Sequence, residues 1–322
     1  MPVTTSSDSE TPAFDREALL RLLRLLEAQG YRFVTPTPAT HTRVLARPDR
    51  KEAGALRDVL GWSLPFTPET VPAEVLDLMR AAGVVAKRPD GKLAARIRVS
   101  SVRGTLFVHS AFPTLAPDSV FLGPDSYRFA DFIVARMAAL APGARILDYG
   151  AGAGVGGISA ARERPGAVLT LADINPKALF LASINAEFAG IEHRTVEASA
   201  PSAVPDAYDL MVTHPPFMMD DQDRAYRHGG DLYGARLSRD WVVAGARKLV
   251  PGGQLILHTG VSIVGGRDVL LDELTEAFRG SEWRFDYHEL DPDIFSEDLD
   301  QPAYAEVERI AAVGLVVTRD AG

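Results

Sequence analysis

Residues 145–157 read RILDYGAGAGVGG, and this stretch decides the fold. The apolar pair Ile146-Leu147 ends in Asp148, the chain breaks into glycines, and small residues with Ile158 then open a helix. Strand, glycine turn and helix N-terminus together make a nucleotide cradle. A backbone without Cβ atoms lets a ligand approach closely, and the first amides of a helix have no partners of their own. The spacing Gly152-x-Gly154-x-x-Gly157 also fits the G-x-G-x-x-G pattern of dinucleotide sites, which is weak on its own.

Two later stretches separate these readings. A strand at 168–172 ends in Asp173, roughly 20 residues past the glycines, where a carboxylate would hold ribose hydroxyls in either case. A strand at 209–213 then ends in His214-Pro215-Pro216-Phe217. The spacing Asp148-x-Gly150-x-Gly152-x-Gly154 resembles the first motif of class I S-adenosyl-L-methionine (SAM) dependent methyltransferases. The later motif is similar to the (Asn/Asp)-Pro-Pro-(Tyr/Phe) of the branch that acts on planar nitrogens, a signature that dehydrogenases lack. The lead-in FLGPDSYR at 121–128 resembles that of bacterial two-domain enzymes related to release-factor glutamine methyltransferases.

This resemblance runs from about residue 121 to the C-terminus. It implies an α/β, Rossmann-like doubly wound sheet with SAM as cofactor. It also implies roles for residues. Asp148 would contact the methionine part of SAM, with Gly150, Gly152 and Gly154 giving room. Asp173 would hold the ribose and Ile174 would flank the adenine. Ser199 stands where an acidic residue would meet the adenine amine, and Tyr127 and Arg128 would border the pocket.

In that branch the polar residue opening the motif accepts hydrogen bonds from the target nitrogen, and the aromatic residue stacks on its plane. Pro215, Pro216 and Phe217 match; His214 departs. A neutral imidazole offers one acceptor and one donor and can take up a proton near neutral pH. The substitution shifts the expected substrate from adenine N6 or a glutamine amide to a nitrogen of a small molecule, with His214 orienting or deprotonating it. Two alternatives stay open: a protein or ribosomal RNA N-methyltransferase, and a SAM-using enzyme that attacks another carbon of the sulfonium and releases methylthioadenosine.

The segment 218–234 leaves the catalytic strand as a polar loop with Gly229-Gly230 as a hinge, where a lid or substrate contacts belong. Tyr226, Arg227, His228 and Tyr233 are candidates there for a carboxylate or ring. Asp220, Asp221 and Asp223 with His228 could bind a divalent metal, but a solvated acidic loop is preferred and no metal is expected. His258, ending the fifth strand, is read as structural.

At 322 residues, with 46% hydrophobic content and mean hydropathy near zero, the chain suits two globular domains. No run approaches the roughly 18 apolar residues of a membrane span. A polar, acidic start points to a cytoplasmic protein with a short disordered tail, and the absence of cysteine excludes disulfides and thiol catalysis. Through residue 115 there are 16 Lys and Arg against 12 Asp and Glu; the remainder has 18 against 31. An acidic catalytic region is a poor fit for a large polyanion. The expected partner is therefore a small molecule ahead of protein or RNA, with no membrane and with a homodimer as one admissible assembly.

Helical spacing predicts helices at 15–29, 48–60 and 72–82, with a turn-rich link at 35–42. Strands at 93–99 and 105–109 follow. These make residues 1–115 a mostly helical, winged-helix-like accessory or substrate-recognition domain, ahead of a SAM-binding domain at 116–322. Arg96, Arg98 and Arg103 are read as the solvated face of a hairpin in preference to a basic wing. A helix at 126–140 leads into strands near 145–149, 168–172, 193–197, 208–213, 254–258, 283–289 and 308–317. Helices fall near 155–164, 176–189, 234–249 and 267–279, and the last two strands form an antiparallel hairpin.

Overall fold

The structure, a computed structural model, describes residues 14–219 and 227–321; the tail at 1–13 lies outside them. The N-terminal region opens with α1 (Arg16–Ala28), begun by Asp15, whose carboxylate accepts the Ala18 N–H at 2.8 Å. Its buried Leu19, Leu22, Leu23 and Leu26 sit at helical spacing. Next come α2 (Pro38–Leu45) and α3 (Leu56–Leu60), which correct the expected link at 35–42 and single helix over 48–60. Thr37 accepts the Thr40 N–H at 3.1 Å and Pro38 occupies the first turn, a helix start hidden in a proline-rich stretch. Between them, residues 46–55 hold only turns and bends.

After α4 (Ala73–Ala81), β1 (Val85–Lys87) and β2 (Leu93–Ala95) form a short hairpin. The expected strand at 93–99 is cut at Arg96, and β3 (Ile97–Val102) pairs instead with β4 (Thr105–Ser110). Alternation predicts that Arg98 faces water. It is 1% exposed, its Nε donating to the Ser110 carbonyl at 3.2 Å, because this hairpin is covered on both faces. Arg96 donates to the Gly83 carbonyl and Arg103 pairs with Asp131 and Glu163. The three arginines tie the hairpin to its surroundings.

The remainder follows the expected alternation closely: α5 (Pro124–Arg136), β5 (Arg145–Tyr149), α6 (Val155–Arg162), β6 (Val168–Asp173), α7 (Pro176–Phe188), β7 (His193–Glu197) and β8 (Tyr208–Thr213). Then come α8 (Arg236–Ala246), β9 (Leu249–Val264), the short β10 (Arg267–Asp268), α9 (Val269–Ala277), β11 (Trp283–Asp291) and β12 (Arg309–Arg319). The sheet order is β11-β12-β9-β8-β5-β6-β7, with β10 pairing off the path on β9. The strands from β9 to β7 run parallel, while β12 is antiparallel to both β9 and β11. β9 is longer than expected because β12 pairs along it as far as Ile263.

Two apolar clusters cover the sheet's faces. One joins Leu19, Phe33 and Phe107 of the N-terminal region to Phe129, Ile146 and Ile256. The other gathers Leu147, Met211, Val242, Leu257 and Leu315. Buried Asn185 on α7 accepts the Val108 N–H (2.8 Å) and donates to the carbonyls of Val108 (3.0 Å) and Ala153 (2.9 Å). No described helix is long and apolar enough to cross a membrane.

The chain reverses direction across the sheet between β5 and β8, both neighbours of the same central position. In an open parallel sheet that switch point leaves a crevice beyond the strands' C-terminal ends.

Candidate active site

A cavity of about 440 Å³ fills that crevice. Asp148, Gly150, Gly152, Asp173, Ile174 and Ser199 line one part of it, and His214, Pro215 and Phe217 another. Residues from three separate strand ends thus meet in one space.

The glycine turn is held by hydrogen bonds to the two aspartates. Gly157 N–H donates to Asp148 Oδ2 at 2.8 Å, and Gly152 N–H to Asp173 Oδ2 at 2.9 Å. Asp173 Oδ1 also accepts the Asn175 N–H at 2.9 Å. At Gly150 the backbone is left-handed (φ 70°), and a Cβ would lie 2.6 Å from the Trp241 ring, so no side chain fits. Burial pushes the Asp148 carboxyl up to about 7 against the pull of the Gly157 amide, and it raises Asp173 for the same reason. The turn, the carboxylate of Asp173 and the apolar wall around Ile174 fit an adenosyl group.

His214 has a defined tautomer. Its Nδ1 lies 2.7 Å from the His258 carbonyl oxygen, which can only accept, so Nδ1 carries the proton and Nε2 is left as an acceptor. Rings hold the imidazole: Phe129 at 5.6 Å between centroids, Phe217 at 5.7 Å and His258 at 5.0 Å. His258 is fully buried, and desolvation keeps it neutral far below the usual imidazole range. Its structural reading agrees with this placement, its carbonyl fixing His214. Phe217 in turn needs Gly260, where a Cβ would stand 2.3 Å from its ring.

Four expected site residues lie elsewhere. Tyr127 does not line the cavity. On α5, Asp125 and Phe129 face it, and residue 127 is turned about 200° from 125 at 100° per residue. The Tyr127 hydroxyl instead accepts the Thr35 N–H at 2.9 Å. Arg128 also turns aside, to pair with Asp125 and Asp291. Tyr233 donates to Glu306 outside the cavity, and Gly154 caps α6 just behind the lining residues.

The loop after Phe217 is pinned where it is described. Met218 N–H donates to the Arg227 carbonyl and Gly229 N–H to the Met218 carbonyl. A Cβ on Gly229 would meet the Gly234 carbonyl oxygen at 1.9 Å, so this position requires glycine for close packing. Arg227 and His228 line the cavity, with Arg227 bonded to Asp298 at 2.6 Å. Asp220, Asp221, Asp223 and Tyr226 lie outside the described residues. Among the described residues no three His, Asp or Glu side chains gather as metal ligands.

Sequence reasoning missed Asp125, Phe129, Trp241 and Phe295, all of them lining the cavity. Asp125 and Phe129 carried a signal, standing four apart on one helical face beside the quoted lead-in. Phe295 carried none.

Residues 129–261 match the methyltransferase small domain family. The release factor glutamine methyltransferase of Deinococcus radiodurans is 35% identical over 125 residues, covering 35% of this chain and 45% of that one. The ribosomal RNA small subunit methyltransferase C of Hahella chejuensis is 34% identical over 115 residues, covering 36% and 31%. The chain thus spans less than half the length of these two relatives. A ribosomal protein L11 methylase from Lactobacillus delbrueckii subsp. bulgaricus aligns with TM-score 0.42 at 17% identity, over 62% of this chain and 81% of that one. The segment that matches the methyltransferase small domain family holds the glycine turn, Asp173 and the His-Pro-Pro-Phe motif.

Proposed function

We propose that this chain is a SAM-dependent methyltransferase that acts on a nitrogen, and that His214 serves the nucleophile directly. The observation that supports it most is the convergence of Asp148, Asp173 and His214 on one cavity from three strand ends. When bound, SAM supplies a methyl group already activated by its sulfonium. The protein's part is then placement and proton handling. The glycine turn and Asp173 hold the adenosyl end, and Phe217 packs beside the nucleophile. His214 Nε2, its tautomer fixed by the His258 carbonyl, accepts a hydrogen bond or a proton from the attacking nitrogen. Residues 1–115 act as the accessory, substrate-recognising part and 116–322 as the SAM-binding part.

A small-molecule acceptor remains our reading. A protein or ribosomal RNA acceptor is the second, favoured by what the relatives are named for. The test is mass spectrometry of the purified protein with SAM, with and without cell extract split by size and treated with nuclease or protease. S-adenosylhomocysteine (SAH) formed only with the small-molecule fraction supports the first reading; loss of it on protease or nuclease treatment supports the second. Methylthioadenosine from SAM alone would mean chemistry at another carbon and overturn both.

A further inference from the structure

The half of the cavity around His214 holds a buried carboxylate that is only partly satisfied. Asp125 is 3% exposed and lines the cavity. Its Oδ1 takes the Arg128 guanidinium at 3.0 Å, but Oδ2 accepts no hydrogen bond from any described residue. A carboxylate on a cavity wall with one oxygen left unpartnered can take a donor from a ligand. Arg128 does not cancel the local charge, because it also serves Asp291 at 2.8 Å: two carboxylates share one guanidinium. Arg227, which lines the cavity, is bonded to Asp298.

Aromatic faces complete this half. Phe129 and Phe217 flank His214, and Phe295 lies 5.9 Å from Phe217. Phe295 belongs to residues 286–308, which contain nine Asp and Glu and no Lys or Arg. Three of these, Asp293, Glu297 and Asp300, are exposed and form no ion pair among the described residues. Ring faces attract cations, and an acidic stretch flanking a lining residue such as Phe295 raises the local concentration of cations.

We propose that the acceptor is an organic cation, an alkylammonium group whose nitrogen is seated between Asp125 Oδ2, the phenylalanine rings and His214 Nε2. This rests on the methyltransferase reading above and names its substrate class. The bonds and charges balance. The ammonium proton passes to His214 Nε2, and the freed lone pair forms the N–C bond. The C–S bond breaks with its pair left on sulfur, giving a methylammonium product and a neutral thioether. Asp125 holds the cation before transfer and the rings exclude water from the exchange.

The test is calorimetric titration of the full-length protein saturated with SAH, using putrescine, a lysine-containing peptide, benzamide and adenosine as probes. One or both amine probes should bind, at least tenfold more tightly than the neutral ones. Putrescine alone would identify a free amine as the source of the cation, and the peptide alone a protein side chain. Asp125→Asn should weaken amine binding about tenfold or more. Should that variant fold poorly, the triple variant Asp293→Asn, Glu297→Gln, Asp300→Asn alters only exposed groups; it should weaken amine binding and flatten its salt dependence. Binding of benzamide or adenosine as tight as that of the amines, or no amine binding to the SAH-loaded protein, overturns the proposal alone. Failure of SAH itself to bind overturns the methyltransferase reading, and this one with it.

Discussion

Asp148 makes the stability of the fold depend on pH with the sign opposite to that of a carboxylate held in an ion pair. The residue is 1% exposed, and burial raises its carboxyl from 3.8 to about 7. The folded chain therefore binds this proton more tightly than the unfolded chain. Below about pH 4 both forms are protonated and the contribution is fully present. As pH rises from there through about 7 the unfolded chain releases its proton first, and the contribution is lost. A shift of about three units, at roughly 1.4 kcal/mol each, sets an upper figure of about 4 kcal/mol. Asp125 and Asp173 are raised by burial too and add slope of the same sign, so the wild type alone is no test. Asp148→Asn keeps an acceptor for the Gly157 N–H and removes the titration. In urea unfolding without cofactor, the wild type should lose about 2–4 kcal/mol more than Asp148→Asn between about pH 4 and about pH 8. Equal losses would refute the claim that burial holds this carboxyl protonated.

Other substitutions test the site and its support. His214→Ala should leave SAM binding intact while turnover falls at least about tenfold; unchanged turnover would remove His214 from the mechanism. Gly150→Ala places a Cβ against Trp241 at a left-handed backbone position, so calorimetry should show SAM affinity reduced by about tenfold or more, and wild-type affinity would contradict the role given to this turn. Asn185→Ala strands the backbone N–H and C=O of Val108 in the core. Denaturant unfolding should register a loss of about 2–3 kcal/mol, and a loss under about 0.5 kcal/mol would mean those groups find other partners.

The doubly wound part was legible because it is built from local, directional signals. A strand ending in Asp148 and glycines, a helix opened by Pro176 after Asp173, and a strand ending in Pro215-Pro216 each fix their own geometry and need no information from elsewhere. The errors fall where the environment decides. Arg98 follows the alternation of its strand but is buried, since the same hairpin is covered from both sides and alternation carries no knowledge of a second layer. The expectation for Tyr127 rests on its place in a resembling stretch, whereas helical geometry gives the cavity face to Asp125 and Phe129. Phe295 reaches the cavity from a loop far along the chain, and nothing local marks it. The sequence thus points to most of the cavity wall beside the glycine turn, and to the opposite wall through the His-Pro-Pro-Phe motif, Arg227 and His228 but not through Asp125, Phe129 or Phe295.

The replacement at His214 is better understood with its neighbour in view. An Asn or Asp opening this motif would present an acceptor oxygen to the nitrogen. His214 presents a single lone pair, because the His258 carbonyl has claimed the Nδ1 proton. The acceptor function is therefore kept, and a capacity to remove a proton is added. An amide or an exocyclic amine conjugated to a ring gains little from that capacity, since neither is protonated near neutral pH. An alkylammonium gains everything, for its lone pair is tied up until the proton leaves. Asp125, a carboxylate on the cavity wall whose Oδ2 has no partner among the described residues, would meet the same requirement from the other side, holding the charged form while the imidazole takes its proton. On the proposed reading neither residue alone would select an amine; the two would act together, closed in by Phe129 and Phe217.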